Sequence, residues 1–196
     1  NNIVIENITA TRKTTRAGVA FGFNLDGAID INITNANISG ISGETSTEHF
    51  RLVNTNNLSC LNCTYDSSLE DVDSNSDLTR KWYYRAHTED TSGTNVSNAT
   101  VDLYNGIDAN PYITLTTNSS GWTNTTNIID YVNNGGTKTY YDTSVIAANY
   151  NLTLWDDHIY NVTDEQNNLN DSFVLDIDIT PPVMGTYGIS MTTGTT

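Results

Sequence analysis

Apolar and polar side chains alternate in short runs along this chain, and no stretch repeats at the three-to-four spacing of an amphipathic helix. Residues 28–33 and 50–53 alternate in this way, which turns one face inward and the other to water. Further runs cover 81–87, 99–104, 112–117, 128–132, 137–147, 152–155, 158–162 and 172–179. Between them stand turn clusters: Asp90-Thr91-Ser92-Gly93, Asn105-Gly106, Asn110-Pro111, Asn118-Ser119-Ser120-Gly121 and Asn133-Asn134-Gly135-Gly136. Many short strands punctuated by Asn and Gly predict an all-β chain. Thr180-Pro181-Pro182 ends the last run, because proline cannot donate to a strand ladder.

A repeat runs through the first part. Ile3-Val4-Ile5-Glu6-Asn7-Ile8-Thr9 matches Ile33-Thr34-Asn35-Ala36-Asn37-Ile38-Ser39 and Val53-Asn54-Thr55-Asn56-Asn57-Leu58-Ser59, at spacings of 30 and 20 residues. Coils of three short parallel strands need about that length. Asn at a repeated corner can adopt the left-handed backbone conformation and stack amide on amide between coils. We therefore expect a short parallel β-helix over 1–79, an antiparallel β-sandwich over 80–182, and a tail over 183–196 that links onward or is exchanged with a neighbour. Unrelated strands in a sandwich are the alternative for the first unit. The Ser/Asp/Asn-rich stretch 69–80 reads as the connector, and missing coils would lie upstream.

Composition narrows the setting. The 196 residues carry 8 Lys plus Arg against 23 Asp plus Glu, a formal charge of −15. This repels nucleic acid and anionic lipid. The charge is uneven, net −3 over 1–85 and net −12 over 86–196. Thr, Asn and Ser supply 73 positions, so the polarity is neutral hydroxyl and amide rather than the charged cover of a cytosolic enzyme. No run reaches the length of a membrane-spanning helix, and Asn1-Asn2-Ile3-Val4 has neither an initiator Met nor a signal peptide, as expected of a mature chain or one cut from something longer.

Asp73-Ser74-Asn75-Ser76-Asp77-Leu78-Thr79 leading into Trp82-Tyr83-Tyr84, then Asp90 to Gly93 with Val96 to Val101, Thr117 to Trp122, and the exit Asp178-Ile179-Thr180-Pro181-Pro182 form a recognisable series. It resembles archaeal cell-surface and S-layer-type proteins, in which a right-handed parallel β-helix precedes an immunoglobulin-like or carboxypeptidase-regulatory-like sandwich. The resemblance spans roughly residues 70–182. It implies surface structure, adhesion or lattice assembly rather than a reaction, although basic residues are nearly absent after Arg85.

Asn-x-Ser/Thr occurs twelve times, at Asn7, Asn32, Asn37, Asn57, Asn62, Asn95, Asn98, Asn118, Asn124, Asn151, Asn161 and Asn170. That is roughly twice what random placement gives, and it predicts N-linked sugar at several of them. Cys60-Leu61-Asn62-Cys63 could be a redox pair, half a zinc site or a local disulfide. A bridge formed in an oxidising compartment is favoured, since no second pair and no suitably spaced His accompany it, and the sequon at Asn62 suggests an exposed corner. Asp71, Asp73, Asn75 and Asp77 resemble the first half of a calcium loop, against the plainer reading of a solvated acidic linker. Asp156-Asp157-His158 lacks a nucleophile, and His49 and His87 stand alone. Lys81 or Lys138 could form an isopeptide with an Asn, but nothing selects the partner residues. Trp82, Trp122 and Trp155 and the pairs Tyr83-Tyr84 and Tyr140-Tyr141 read as packing.

The sequence thus predicts a non-enzymatic structural segment of an extracellular, glycosylated surface layer or filament, self-associating with identical subunits and needing no cofactor beyond a possible calcium ion. A carbohydrate-binding adhesin module is the second expectation, and a fragment of a β-helix polysaccharide-active enzyme the third.

Overall fold

The computed structural model describes residues 3–11, 19–41, 46–105, 109–141, 143–149, 154–160 and 169–177. They are strands and turns, with a single 3-10 turn at Ser67–Leu69. The protein is all-β, as expected. The expected tail, 183–196, lies outside the described residues.

The first nine strands are β1 (Ile3–Glu6), β2 (Thr9–Thr11), β3 (Val19–Asp26), β4 (Ile29–Thr34), β5 (Asn37–Gly40), β6 (Ser46–Val53), β7 (Asn56–Leu61), β8 (Glu70–Val72) and β9 (Asp77–Asp90). They pair in parallel as three separate ladders: β1-β4-β7-β9, β2-β5, and β3-β6-β8. Register partners are Ile3, Ile31, Leu58 and Leu78 in one column, and Ile33, Cys60 and Arg80 in the next. The chain thus advances by 28, then 27, then 20 residues per step.

This register differs from the sequence match, which set Ile3 against Ile33. The structure sets Ile3 against Ile31 and Ile5 against Ile33. The match slipped because Asn stands at several corners. Asn7 and Asn35 both follow a strand of the first ladder, whereas Asn37 begins β5 in another ladder.

Inward side chains of these strands form one core, including Ile31, Ile33, Ile38, Phe50, Leu52, Leu58 and Leu78. Phe50 stacks on Phe23 at 5.2 Å and meets Tyr65 edge-on at 4.8 Å. Gly22 makes this fit possible. A Cβ there would lie 2.4 Å from the His49 carbonyl oxygen, closer than atoms can pack.

The remaining strands are β10 (Thr100–Asn105), β11 (Ile113–Thr116), β12 (Thr126–Asn134), β13 (Thr137–Tyr140), β14 (Thr143–Asn149), β15 (Leu154–Tyr160) and β16 (Leu169–Ile177). They pair antiparallel among themselves, in the orders β11-β10-β14-β15-β16 and β12-β13. A second core gathers Trp82, Tyr84, Ala86, Val101, Leu103, Ile128, Val145, Phe173 and Leu175.

β9 joins the two parts. Its first half lies between β7, in parallel, and β12, antiparallel. Its second half pairs in parallel with β16. Leu78 belongs to the first core, whereas Trp82, Tyr84 and Ala86 belong to the second. The expected boundary between 79 and 80 therefore falls inside a continuous strand. The stretch 69–80, expected as a connector, instead carries β8 and the start of β9, because Val72, Leu78 and Arg80 supply inward-facing side chains.

Candidate functional site

Asparagine builds the corners between ladders. Asn7, Asn35, Asn54, Asn57, Asn62 and Asn98, together with Asp30, have φ between 48° and 59°, the left-handed region that their short polar side chains tolerate. After the first ladder the corners stack: Asn62 Nδ2 donates to Asn35 Oδ1 at 2.7 Å, and Asn35 Nδ2 donates to Asn7 Oδ1 at 3.1 Å. A second stack joins Asn75 Nδ2 to Asn54 Oδ1 at 3.3 Å, and a third joins Asn57 Nδ2 to Asp30 Oδ1 at 2.7 Å. The expected left-handed conformation and amide stacking of Asn are thus present; of the residues that the sequence match aligned, Asn7 and Asn57 take part, whereas Asn37 does not have positive φ and Asn35 and Asn62 join instead.

The sequons fall into groups. Asn7 and Asn62 directly follow strands at corners, and Asn57 is the second residue of β7, all three at positive φ. Asn32, Asn37, Asn95, Asn98, Asn118, Asn124 and Asn170 are exposed, as are Asn7 and Asn57, while Asn62 is half-buried. Asn170 Oδ1 accepts from Arg85 Nε at 2.6 Å, and Asn95 Oδ1 lies 2.9 Å from His87 Nε2. Asn151 and Asn161 lie outside the described residues.

Cys60 and Cys63 form a disulfide, with Cα atoms 5.9 Å apart. Both cysteines are fully buried in the first core, against the expectation of an exposed corner. The parallel register explains this, since it places Cys60 between Ile33 and Arg80 on the inward face.

The four residues of the calcium pattern are divided among corner contacts. Asp71 faces Arg51, with Oδ2 3.7 Å from its Nε. Asp73 Oδ1 accepts from Ser76 Oγ at 2.6 Å and from the Asn75 amide at 3.1 Å, and its Oδ2 accepts from the Asn54 amide at 3.1 Å. Asp77 Oδ1 accepts from the Asn57 amide at 3.0 Å. These bonds hold the Asp73 carboxyl below the usual carboxylate range, the Ser76 hydroxyl being the largest cause. Each carboxylate thus ties its corner to an earlier residue of the stack. Among the described residues no three His, Cys, Asp or Glu side chains converge.

The remaining chemical candidates are dispersed. His49 Nδ1 accepts from the Asp66 amide at 2.9 Å, and its ring is buried. His87 packs on Trp122 with ring centres 4.8 Å apart. Asp156, Asp157 and His158 follow one another along β15, opposite Ala147, Ile146 and Val145 of β14. Trp82 is buried, and the Arg85 guanidinium lies 4.2 Å from the centre of the Trp122 ring.

The densest chemistry escaped the sequence reading: a buried charged cluster where the two cores meet. Arg80 follows Ile33 and Cys60 in its inward column. Its guanidinium lies 4.7 Å from the ring centres of both Tyr65 and Trp82, a cation–π arrangement, and Nε is 3.6 Å from Asp130 Oδ2. Trp82 Nε1 donates to that same Asp130 oxygen at 3.0 Å. Beside them, Glu70 accepts from Tyr65 Oη at 2.8 Å, from Tyr131 Oη and from Asn133 Nδ2 at 2.7 Å, and lies 3.2 Å from Lys138 Nζ. Burial pushes the Tyr65 and Tyr131 hydroxyls well above the ordinary phenol range and raises the Asp130 carboxyl. Two acids thus face two cations in an aromatic enclosure, an arrangement suited to sealing a junction. The sequence did contain a signal: Leu78, Arg80, Trp82, Tyr84 and Ala86 share one parity of β9, which puts Arg80 on the apolar face.

Comparison with protein-family models, curated proteins and solved structures returned no match to this chain.

Proposed function

We propose that the chain is a non-enzymatic structural segment of an extracellular, sugar-bearing assembly, in which a short parallel solenoid ends against an antiparallel sandwich. The three parallel ladders support the solenoid, and the second core with its antiparallel strands supports the sandwich. The archaeal surface-layer or filament setting rests on the sequence resemblance.

One observation carries the reading, a gradient of burial along the stack. Ile5 is only partly buried, yet its register partners Ile33 and Cys60 have no exposure. Phe23 and Leu25 are likewise partly buried, while Phe50 and Leu52 have none. At the other end β9, β12 and the charged cluster cover the core. Covered at one end and half-covered at the other, the ladders fit a solenoid, in which each layer of strands is covered by the next.

The polar groups favour shape over reaction, since the carboxylates of Asp66, Asp73, Asp77 and Asp90 are engaged in turn and corner hydrogen bonds. The adhesin alternative needs exposed aromatic rings along one face; Trp82 is buried, whereas Phe21, Tyr112 and Tyr140 are exposed on separate strands or turns.

Electron microscopy of the native secreted material tests the proposal. A regular repeat built from the chain is the expected result. Dispersed single particles that bind glycans on an array, with sugars removed from the chain itself, would replace it with the adhesin reading.

A further inference from the structure

The sequons differ in which atom of the carboxamide is engaged. At Asn37, Oδ1 accepts from the backbone N–H of Ser39 at 3.2 Å and from its hydroxyl at 2.8 Å. At Asn118, Oδ1 accepts from the N–H and hydroxyl of Ser120 at 2.9 and 2.7 Å, and from the Trp122 N–H at 3.1 Å. Both asparagines are exposed, and in each case the donor hydroxyl belongs to the third residue of the sequon itself. Asn57 and Asn62 show the opposite arrangement. Their Nδ2 groups donate at 2.7 Å to Asp30 and Asn35, inside the corner stacks.

We infer that Asn37 and Asn118 are acceptors for an N-linked glycan delivered from a lipid-phosphate-linked oligosaccharide, whereas Asn57 and Asn62, whose Nδ2 groups are engaged in the stacks, remain unmodified. In the transfer, a bond forms between Nδ2 and the anomeric carbon, and the bond from that carbon to the lipid phosphate oxygen breaks. The Nδ2 proton passes to a base of the transferring enzyme, the lipid phosphate leaves as the anion, and nothing is oxidised or reduced. As Nδ2 loses its proton, negative charge grows on Oδ1. The N–H and O–H donors already aimed at Oδ1 stabilise that charge. The turn also fixes the carboxamide in place. Gly121, with φ of 75°, closes the loop after Asn118, and a Cβ there would lie 2.6 Å from the Thr88 carbonyl oxygen. At Asn57 or Asn62 a sugar would have to fit within a stack whose neighbouring corners lie one coil away, and the half-buried Asn62 sits between the two buried cysteines.

The inference rests on the reading of the chain as a secreted glycoprotein. Its test is glycopeptide mass spectrometry of the full chain secreted through an N-glycosylating pathway, with each released site marked by isotope-tagged conversion to Asp. Occupancy at Asn37 and Asn118 is expected to exceed that at Asn57 and Asn62 several-fold. In the Asp30→Gly variant, which removes the acceptor of Asn57 Nδ2 at a position of positive φ, occupancy at Asn57 is expected to rise. Equal occupancy at Asn57, Asn62, Asn37 and Asn118 would overturn the geometric sorting and leave the glycoprotein reading standing. A chain bare at every sequon would overturn both.

Discussion

The Nε of Arg80 lies 3.6 Å from Oδ2 of Asp130, and both side chains are almost wholly excluded from water. Arg80 sits on β9 and Asp130 on β12, so the pair closes the end of the first core where the second begins. Losing one member of a buried pair strands the other charge, at a cost of roughly 3–5 kcal/mol. Asp130→Ala and Arg80→Ala are each expected to lose about that much in urea unfolding. The double substitution Arg80→Met with Asp130→Leu should lose clearly less than the two single changes combined. Additive losses would mean that the two charges do not interact.

Asn35 is both donor to Asn7 and acceptor from Asn62, at φ of 55°. Asn35→Ala forfeits two hydrogen bonds of about 0.5–1.5 kcal/mol each and forces Ala into a region costing roughly 1–2 kcal/mol. A loss of about 2–5 kcal/mol is expected. Asn35→Gly should be milder by about 1 kcal/mol, because glycine enters that region without strain. Equal losses in denaturant unfolding would show that the backbone conformation contributes nothing.

Acidification should destabilise the fold. Hydrogen bonds, those of the nearby serine hydroxyls first, hold the Asp66, Asp73 and Asp90 carboxyls below the ordinary range. Their stabilisation is present above about pH 4, the unfolded value, and is lost as the pH falls through their lowered values. Asp130 acts in the opposite sense. Burial raises its carboxyl, so its contribution favours the protonated form and declines as the pH rises above about 4. The Asp73→Asn/Asp90→Asn double variant is expected to show a shallower loss between about pH 4 and pH 2 in urea midpoints. An unchanged acid slope would remove these carboxylates from the account.

The Cys60–Cys63 bridge closes a loop of sequence separation 3, so constraint of the unfolded chain contributes near the low end of the ~0–5 kcal/mol range. Its larger role is packing, because both sulfurs lie in the core. Replacing both cysteines by Ala should therefore be tolerated better than replacing both by Ser. A buried hydroxyl without a partner costs about 1–3 kcal/mol, a penalty that falls mainly on position 60, since the Leu61 and Ile33 carbonyl oxygens lie 3.7 and 3.9 Å from Cys63 Sγ. Thermal unfolding of the two variants separates the effects, and equal stability would contradict this burial argument.

Strand content was legible because alternation of side chains depends only on neighbours in the chain. The runs read at 50–53 and 81–87 lie in strands of the structure, as does all but the first residue of the run read at 28–33. Corner asparagines were legible in kind, since few residues take positive φ. Their partners were not, because several turns carry the same residue, and only the ladder decides that Asn7 meets Asn35. The burial of Cys60 and Arg80 depends equally on register, which sets both behind Ile33. The Asp71 to Asp77 series looked like a set of cation ligands because spacing was its only visible property. In three dimensions Asp73 and Asp77 bond back to Asn54 and Asn57, beside the preceding strands of their ladders.

β9 is a single run of 14 residues that borders β7 and β12 early and β16 late. A tensile load entering one part of the molecule reaches the other along an uninterrupted backbone, with no loop between them to stretch first. Ladders flanking β9 on both sides would have to slip together before the strand could leave, so resistance to extension is concentrated there. Under pull the chain would yield elsewhere before it came apart at this seam.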